Sequence, residues 1–214
     1  MYLIEKNGEM TTAILGNILS SFQTKELPQL LKWKNYYDGK HAILNKKNAE
    51  GYNNNQTVVN NFCRYITDTY NGMLTGVPVQ YSGENINEII DILKFNDYVQ
   101  ADTELVKNAL EYGKAFELNY IDEESNIRFR NLPTISCIDV YDNTLNNDLA
   151  YVIRFWNEEL NASIIEEKYI VEVYGPRDIK TYRSQAGFST FELIDEREHY
   201  FKDCPVTVFN LNTD

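Results

Sequence analysis

Cysteine is scarce and unpatterned in this chain: Cys63, Cys137 and Cys204 are three among 214 residues and form no CxxC pair. An odd, scattered set cannot close a disulfide framework and suits a reducing compartment. Histidine is scarcer still. His41 and His199 lie far apart, so metal-ligand spacing is missing, and each is expected to be solvent-exposed or to cap an element. No run of about 20 apolar residues occurs that would span a membrane. The short apolar stretch from Ala13 to Leu19 follows Glu5 and Glu9 rather than a basic segment, unlike a secretory signal. Glycine and proline, 10 and 5 residues, build neither a phosphate loop ending in Lys-Ser/Thr nor a GxGxxG turn, which argues against a nucleotide site. The G-x-S-x-G turn of a serine nucleophile is also missing.

Positive charge is in short supply. Lys and Arg total 20 against 32 Asp and Glu, for a net charge of −12 and a pI near 4.7. A chain with that balance does not coat nucleic acid, because phosphate affinity comes mainly from Lys and Arg. The lysines are also unevenly placed: Lys25, Lys32, Lys34, Lys40, Lys46 and Lys47 stand close together against only Glu26 and Asp38. Such a cluster is a solvated face or, more sharply, a partner-facing basic patch.

The acidic residues suggest no reactive centre. Asp139 to Asp148 is rich in oxygen ligands but lacks the glycine and terminal acid of a calcium loop, so a turn between strands is expected there. The pairs Glu158-Glu159, Glu166-Glu167 and Asp195-Glu196 are neighbours in sequence. On strands they would point to opposite faces, whereas acid–base catalysis or a metal-dependent nuclease needs carboxyls that converge. The aromatic load, 16 Tyr, 10 Phe and 2 Trp, sits among acids and reads as core and interface packing rather than a base-stacking platform. No cofactor, metal or catalytic residue is expected.

What is present is an ordinary globular composition, 43% apolar and 24% charged, in a chain long enough to bury about 70% of its unfolded surface. Residues 1–24 have weak patterning and are expected as an arm or frayed helix. A helix should open near Leu27, with Pro28 in its first turn, and close at Asp38-Gly39. Residues 48–56 read as a surface loop. The clearest helix runs from about Thr57 to Leu74, where Val59, Phe62, Ile66, Thr69 or Tyr70, and Met73 make a continuous apolar stripe. Two more helices fit Asn85 to Phe95 and Tyr98 to Tyr112, the last closed by Gly113. From Lys114 the period changes to two. Phe116, Leu118 and Tyr120 begin a strand that turns at Asp122–Asn126 into a second one from Ile127. Further strands fit Ile135–Tyr141, Ala150–Trp156, Ile164–Tyr174, Lys180–Arg183, Phe191–Ile194 and Val206–Phe209. Helices first and strands after predict an α+β fold with a mostly antiparallel sheet, helical over 25–113 and strand-rich over 114–214.

Four segments taken together, LKWKNYYDGKHAILNKK (31–47), TVVNNFCRYITDTYNGMLTGVPVQYS (57–82), LVKNALEYGKAFELNYIDEESNIRFRNLP (105–133) and YVIRFW (151–156), resemble the portal proteins of long-tailed bacteriophages and prophages. One motif is carried by Tyr36, Tyr37, Gly39, His41 and Ile43. A second is Val59, Asn61, Asp68, Thr69, Gly72, Gly76, Pro78 and Val79, with Val77 where the family often has Lys. The third is Tyr112, Gly113, Ala115, Phe116 and Glu117. The resemblance spans roughly residues 25–210. It implies a structural subunit of a ring, usually dodecameric, at one capsid vertex. Its partners would be other portal subunits, capsid protein and terminase, with double-stranded DNA as transported cargo and no membrane. Its place would be the virion, and the host cytoplasm during assembly. The part resembled is the outer α/β wing, so the stem, clip and crown are expected to lie beyond Asp214. The rival expectation is a stand-alone, prophage-derived protein-binding module that works through the lysine cluster.

Overall fold

The computed structural model describes residues 1–45, 58–158, 168–185 and 187–211. In chain order the elements are β1 (Tyr2–Ile4), α1 (Thr12–Lys25), α2 (Leu27–Tyr37), α3 (Phe62–Thr75), α4 (Asn87–Phe95) and α5 (Tyr98–Tyr112). Strands β2 (Lys114–Ile121), β3 (Ile127–Leu132), β4 (Cys137–Asp142), β5 (Leu149–Asn157) and β6 (Tyr169–Tyr174) follow, then β7 (Asp178–Gln185), β8 (Thr190–Glu198) and β9 (Val206–Asn210). The chain is α+β, with five helices preceding a mostly antiparallel strand region.

The segment expected as an arm or frayed helix is neither. Tyr2–Ile4 pair in parallel with Val140–Asp142 at the edge of the large sheet. Thr11 caps α1 by accepting the Ile14 N–H at 3.3 Å, and Leu15, Ile18, Leu19 and Phe22 on that helix are buried. Their spacing of three, four and seven is that of one helix face. Gly16, Asn17 and the Ser20-Ser21 pair dilute the helical character of the segment without disturbing that face.

Six strands form the large sheet in the order β1-β4-β5-β6-β7-β8, and three form a small one, β3-β2-β9. Alternate residues of the central strands enter different layers, as the pleat requires. Ile138, Val140, Ile153, Val171 and Val173 pack with the apolar face of α1. Cys137, Val152 and Tyr174 pack on the other side with Phe116, Leu132 and Val206 of the small sheet. The large sheet is therefore covered by α1 on one face and by the small sheet on the other. A partly buried pair, Lys114 with Asp139, ties β2 to β4.

Helix α2 opens with Pro28 in its first turn and ends at Asp38, and α5 ends where Gly113 takes φ 78° and donates its N–H to Ala109 O at 2.8 Å. Helix α3 begins at Phe62, so Val59 lies ahead of it, while Thr57, the 48–56 segment and residues 164–167 of the expected strand fall outside the described residues. Of the Asp139–Asp148 stretch, expected as a turn, Asp139–Asp142 belong to β4 and residues 143–148 make the β4–β5 turn. Asp142 Oδ1 accepts the Thr144 hydroxyl at 2.7 Å and the N–H groups of Thr144 and Asp148 at 3.2 and 3.0 Å.

Candidate functional site

The described lysines of the cluster, Lys25, Lys32, Lys34 and Lys40, do not share one face. Lys25 is exposed at the end of α1 and Lys32 is exposed on α2. Lys34, two residues on, is half-buried and points away from Lys32, since residues two apart do not face each other on a helix. Lys40 lies 3.5 Å from Asp38. Lys46 and Lys47 fall outside the described residues.

Two of the sequence motifs meet in space. The Tyr37 hydroxyl donates to Asp68 Oδ1 at 2.7 Å, and Asn61 Nδ2 donates to Tyr37 O at 2.7 Å. Asn61 Oδ1 also caps α3 by accepting the Arg64 N–H at 3.1 Å, and Arg64 Nε reaches Asp68 Oδ2 at 3.3 Å. The Lys107 ammonium from α5 sits 4.9 Å from the centre of the Tyr37 ring. Gly39 takes φ 77°, and a Cβ there would come within 3.2 Å of Asn61 Nδ2. Glycine is needed for both reasons. Burial, followed by the Asp68 hydrogen bond, pushes the Tyr37 phenol up to about 12. This cluster joins α2, α3 and α5 mechanically, and its one acidic hydroxyl is held protonated.

Of the other reactive side chains, Cys63 is exposed on α3, while Cys137, Cys204 and His199 are spent on structure. Burial pushes the Cys137 thiol to about 12 and the Cys204 thiol to about 11, so neither offers a thiolate at neutral pH. His199, expected to be exposed or capping, is buried. Its Nδ1 accepts the Phe201 N–H at 3.1 Å and its Nε2–H donates to Gly175 O at 3.0 Å, pinning the β6–β7 turn to the chain after β8. An open groove of about 1060 Å³ beside the β4–β5 turn has mixed charges along its walls, including Lys6, Asp142 and Arg177. There Lys180 already pairs with Asp178 at 3.2 Å and Glu196 at 3.3 Å. Among the described residues, no group of three or more His, Cys, Asp or Glu is placed to hold a metal ion. No described helix is long and apolar enough to cross a membrane.

The feature that periodicity alone misplaces is the apolar stripe of α3. Thr67, Asn71 and Thr75 are the half-buried residues of that helix, which packs against α5. Phe62, Ile66, Tyr70 and Met73 face outward, 64%, 53%, 55% and 76% exposed. No residue of α3 or α4 is fully buried. The helix is thus packed by its polar side with its apolar side open, the reverse of a core-facing surface helix. Beyond it Leu74, Val77 and Val79 are exposed as well.

An α+β chain with an open apolar helix face, and with Cys137, Cys204 and His199 bound up in packing, has the makeup of a structural assembly protein. Residues 18–214 match the family model described as phage portal protein, SPP1 Gp6-like, and the chain belongs to that family. Portal proteins are structural components of the virion, used in DNA packaging and as head-to-tail connectors, and are not enzymes. Among curated proteins no match is found.

Proposed function

We propose that this chain is the wing region of a portal subunit. With other copies it would form the ring at a capsid vertex through which double-stranded DNA is packaged and later ejected. The observation that carries the reading is the family match, which begins within α1 and runs through the last strand of the small sheet. The role is mechanical. Two sheets stacked with α1 make a stiff plate, and the exposed faces of α2 and α3 are left for neighbouring copies and for capsid protein and terminase. The lysines Lys25, Lys32, Lys34, Lys40, Lys46 and Lys47 are the proposed partner-facing cations. A surplus of acidic charge, −12 overall, suits a protein past which a polyanion must slide without adhering. Assembly would take place in the host cytoplasm.

The test is negative-stain imaging of the protein expressed from its complete gene. Rings with a central opening are expected, and a uniform population of monomers would overturn the reading.

A further inference from the structure

Phe116, Leu118, Leu132 and Val206 point from the small sheet into the layer it shares with the large one. Alternation then puts Ala115 and Glu117 of β2, Asn131 of β3 and Thr207 of β9 on the opposite face. Helix α5 covers that face, with Leu105 and Ala109 packed on Ala115. The register sets Glu117 directly opposite Asn131 on one side and Thr207 on the other. Facing side chains of such a pair start about 4.5–5.5 Å apart at Cβ, so the Glu117 carboxyl reaches the Asn131 amide. That amide is fixed in orientation, because Nδ2 donates to Ala101 O of α5 at 2.7 Å. The next residue of the helix is Asp102. Asn131 Oδ1 is left buried, with no donor among the described residues, and an orphaned buried acceptor is costly.

Two carboxyls and an amide oxygen therefore meet under α5, and no neighbouring cation serves them. Arg128 and Arg130 alternate to the other face of β3, Arg128 lying 4.6 Å from the centre of the Phe95 ring. Lys114 is likewise on the far face of β2, paired with Asp139, and β9 has no charged residue. On α5, Glu104 accepts from Gln100 at 3.0 Å, and the Lys107 ammonium sits over the Tyr37 ring where α2 arrives. Helix α3 presents the uncharged Thr67, Asn71 and Thr75, its Arg64 and Asp68 being paired with each other. Helix α4 leaves Glu88, Asp91 and Lys94 exposed. Burial raises both the Asp102 and the Glu117 carboxyl above the ordinary 3.8 and 4.5, and the Asp102 charge raises Glu117 further.

We propose that Asp102 and Glu117 are a proton-sharing pair that clamps α5 to the small sheet and loosens as the proton is lost. In the clamped form the Glu117 carboxyl O–H donates to Asn131 Oδ1, which supplies the missing donor. When both groups ionise, the O–H is gone and two like charges face each other with little water between them. The folded state binds the extra proton, so stability is greatest below the ordinary carboxyl values and falls as the pH rises through the folded-state ones. The clamp joins the helical half of the chain to its strands, and stands or falls independently of the portal reading.

The test is carbon NMR of the side-chain carboxyls together with thermal unfolding between pH 4 and pH 8. Glu117 is expected to titrate above the ordinary glutamate value, and to move back towards it in Asp102→Asn. Glu117→Gln keeps a donor for Asn131 Oδ1 without the charge. It should melt level with wild type at pH 4 and about 2–4 °C higher at pH 8. Glu117→Ala removes the charge but supplies no donor, and should melt below Glu117→Gln at both ends of the range. An ordinary titration of Glu117 in wild type overturns the proposal, as does Glu117→Gln no more stable than wild type at pH 8. Added Mg²⁺ or Ca²⁺ that raises the melting temperature of wild type but not of Glu117→Gln also overturns it, and would assign the three oxygens to a cation instead of a proton.

Discussion

Tyr37 at the end of α2 donates its hydroxyl to Asp68 in the middle of α3 at 2.7 Å, across 31 residues of chain. The bond fixes the approach of two helices that otherwise share few contacts. Replacing Tyr37 by Phe removes only the hydroxyl. A hydrogen bond to a charged group contributes about 1.5–3 kcal/mol when dry. The Asp68 side chain is 47% exposed and water can substitute, so we expect a loss of about 1 kcal/mol in urea unfolding. An unchanged midpoint would mean that the bond contributes nothing to stability.

The same residue predicts an alkaline limb. Burial pushes the Tyr37 and Tyr2 phenols from 10.0 up to about 12. Each folded-state value lies above the unfolded one, so this stabilisation is complete below pH 10 and disappears as the pH rises towards 12. Melting temperature should fall across that window, less steeply in Tyr37→Phe. Phenolate absorbance should show some of the 16 tyrosines titrating late. A single titration of all of them at the ordinary value in the folded protein would contradict this.

Two substitutions of similar chemistry should diverge. Phe22 on α1 is fully buried, edge-on to Phe155 with ring centres 5.8 Å apart, so Phe22→Ala should cost about 3–5 kcal/mol. Ile66→Ala on α3, at a position 53% exposed, should stay within about 0.5 kcal/mol for the isolated chain. Chemical denaturation of both variants decides; a comparable loss in each would mean that α3 is packed inside the isolated fold.

Gly113→Ala tests the joint between helix and sheet. With φ at 78°, a Cβ meets the left-handed penalty of about 1–2 kcal/mol. Thermal unfolding should report a loss of that size, and a neutral result would show that α5 ends in another way.

The β4–β5 turn predicts an acid limb. The Thr144 hydroxyl and the backbone N–H groups of Thr144 and Asp148 hold the Asp142 carboxyl below its ordinary 3.8. A depressed value means that this stabilisation is present above 3.8 and is lost as the pH falls through the folded-state value. Asp142→Asn should flatten the acid side of the melting profile. An acid limb identical to wild type would assign the loss to other carboxylates.

Local period explains what could be read in advance. Pro28 and Asp38 bracket α2, Gly113 closes α5, and alternation from Phe116 to Tyr120 marks β2 as a half-buried strand. All three depend on neighbours a few residues away. The parallel pairing of Tyr2 with Val140 and the pairing of Leu118 in β2 with Val206 in β9 join residues far apart in the chain, as does the division of strands into two sheets, and a single chain carries no period for them. Helix α1 was missed: Leu15, Ile18, Leu19 and Phe22 carry the spacing of one helix face, but Gly16 and the two serines weaken the signal. The α3 stripe shows the other limit. Periodicity locates an apolar face but not what lies against it, and here Thr67 and Asn71 turn inward while Phe62 and Ile66 turn out. The lysine cluster was visible only as a stretch of sequence, and helical geometry separates Lys32 from Lys34.

The parallel pairing of β1 with β4 also sets an order of events during synthesis. Tyr2 leaves the ribosome long before Val140, its partner. At about 5–20 residues per second the first strand waits on the order of 7–30 s for a place in the sheet. Helix α1 waits with it, because the strands that bury Leu15 and Phe22 are made later still. The nascent chain thus carries the apolar face of α1 uncovered through much of its translation, and among the described strands β9, which completes the small sheet, is the last to join.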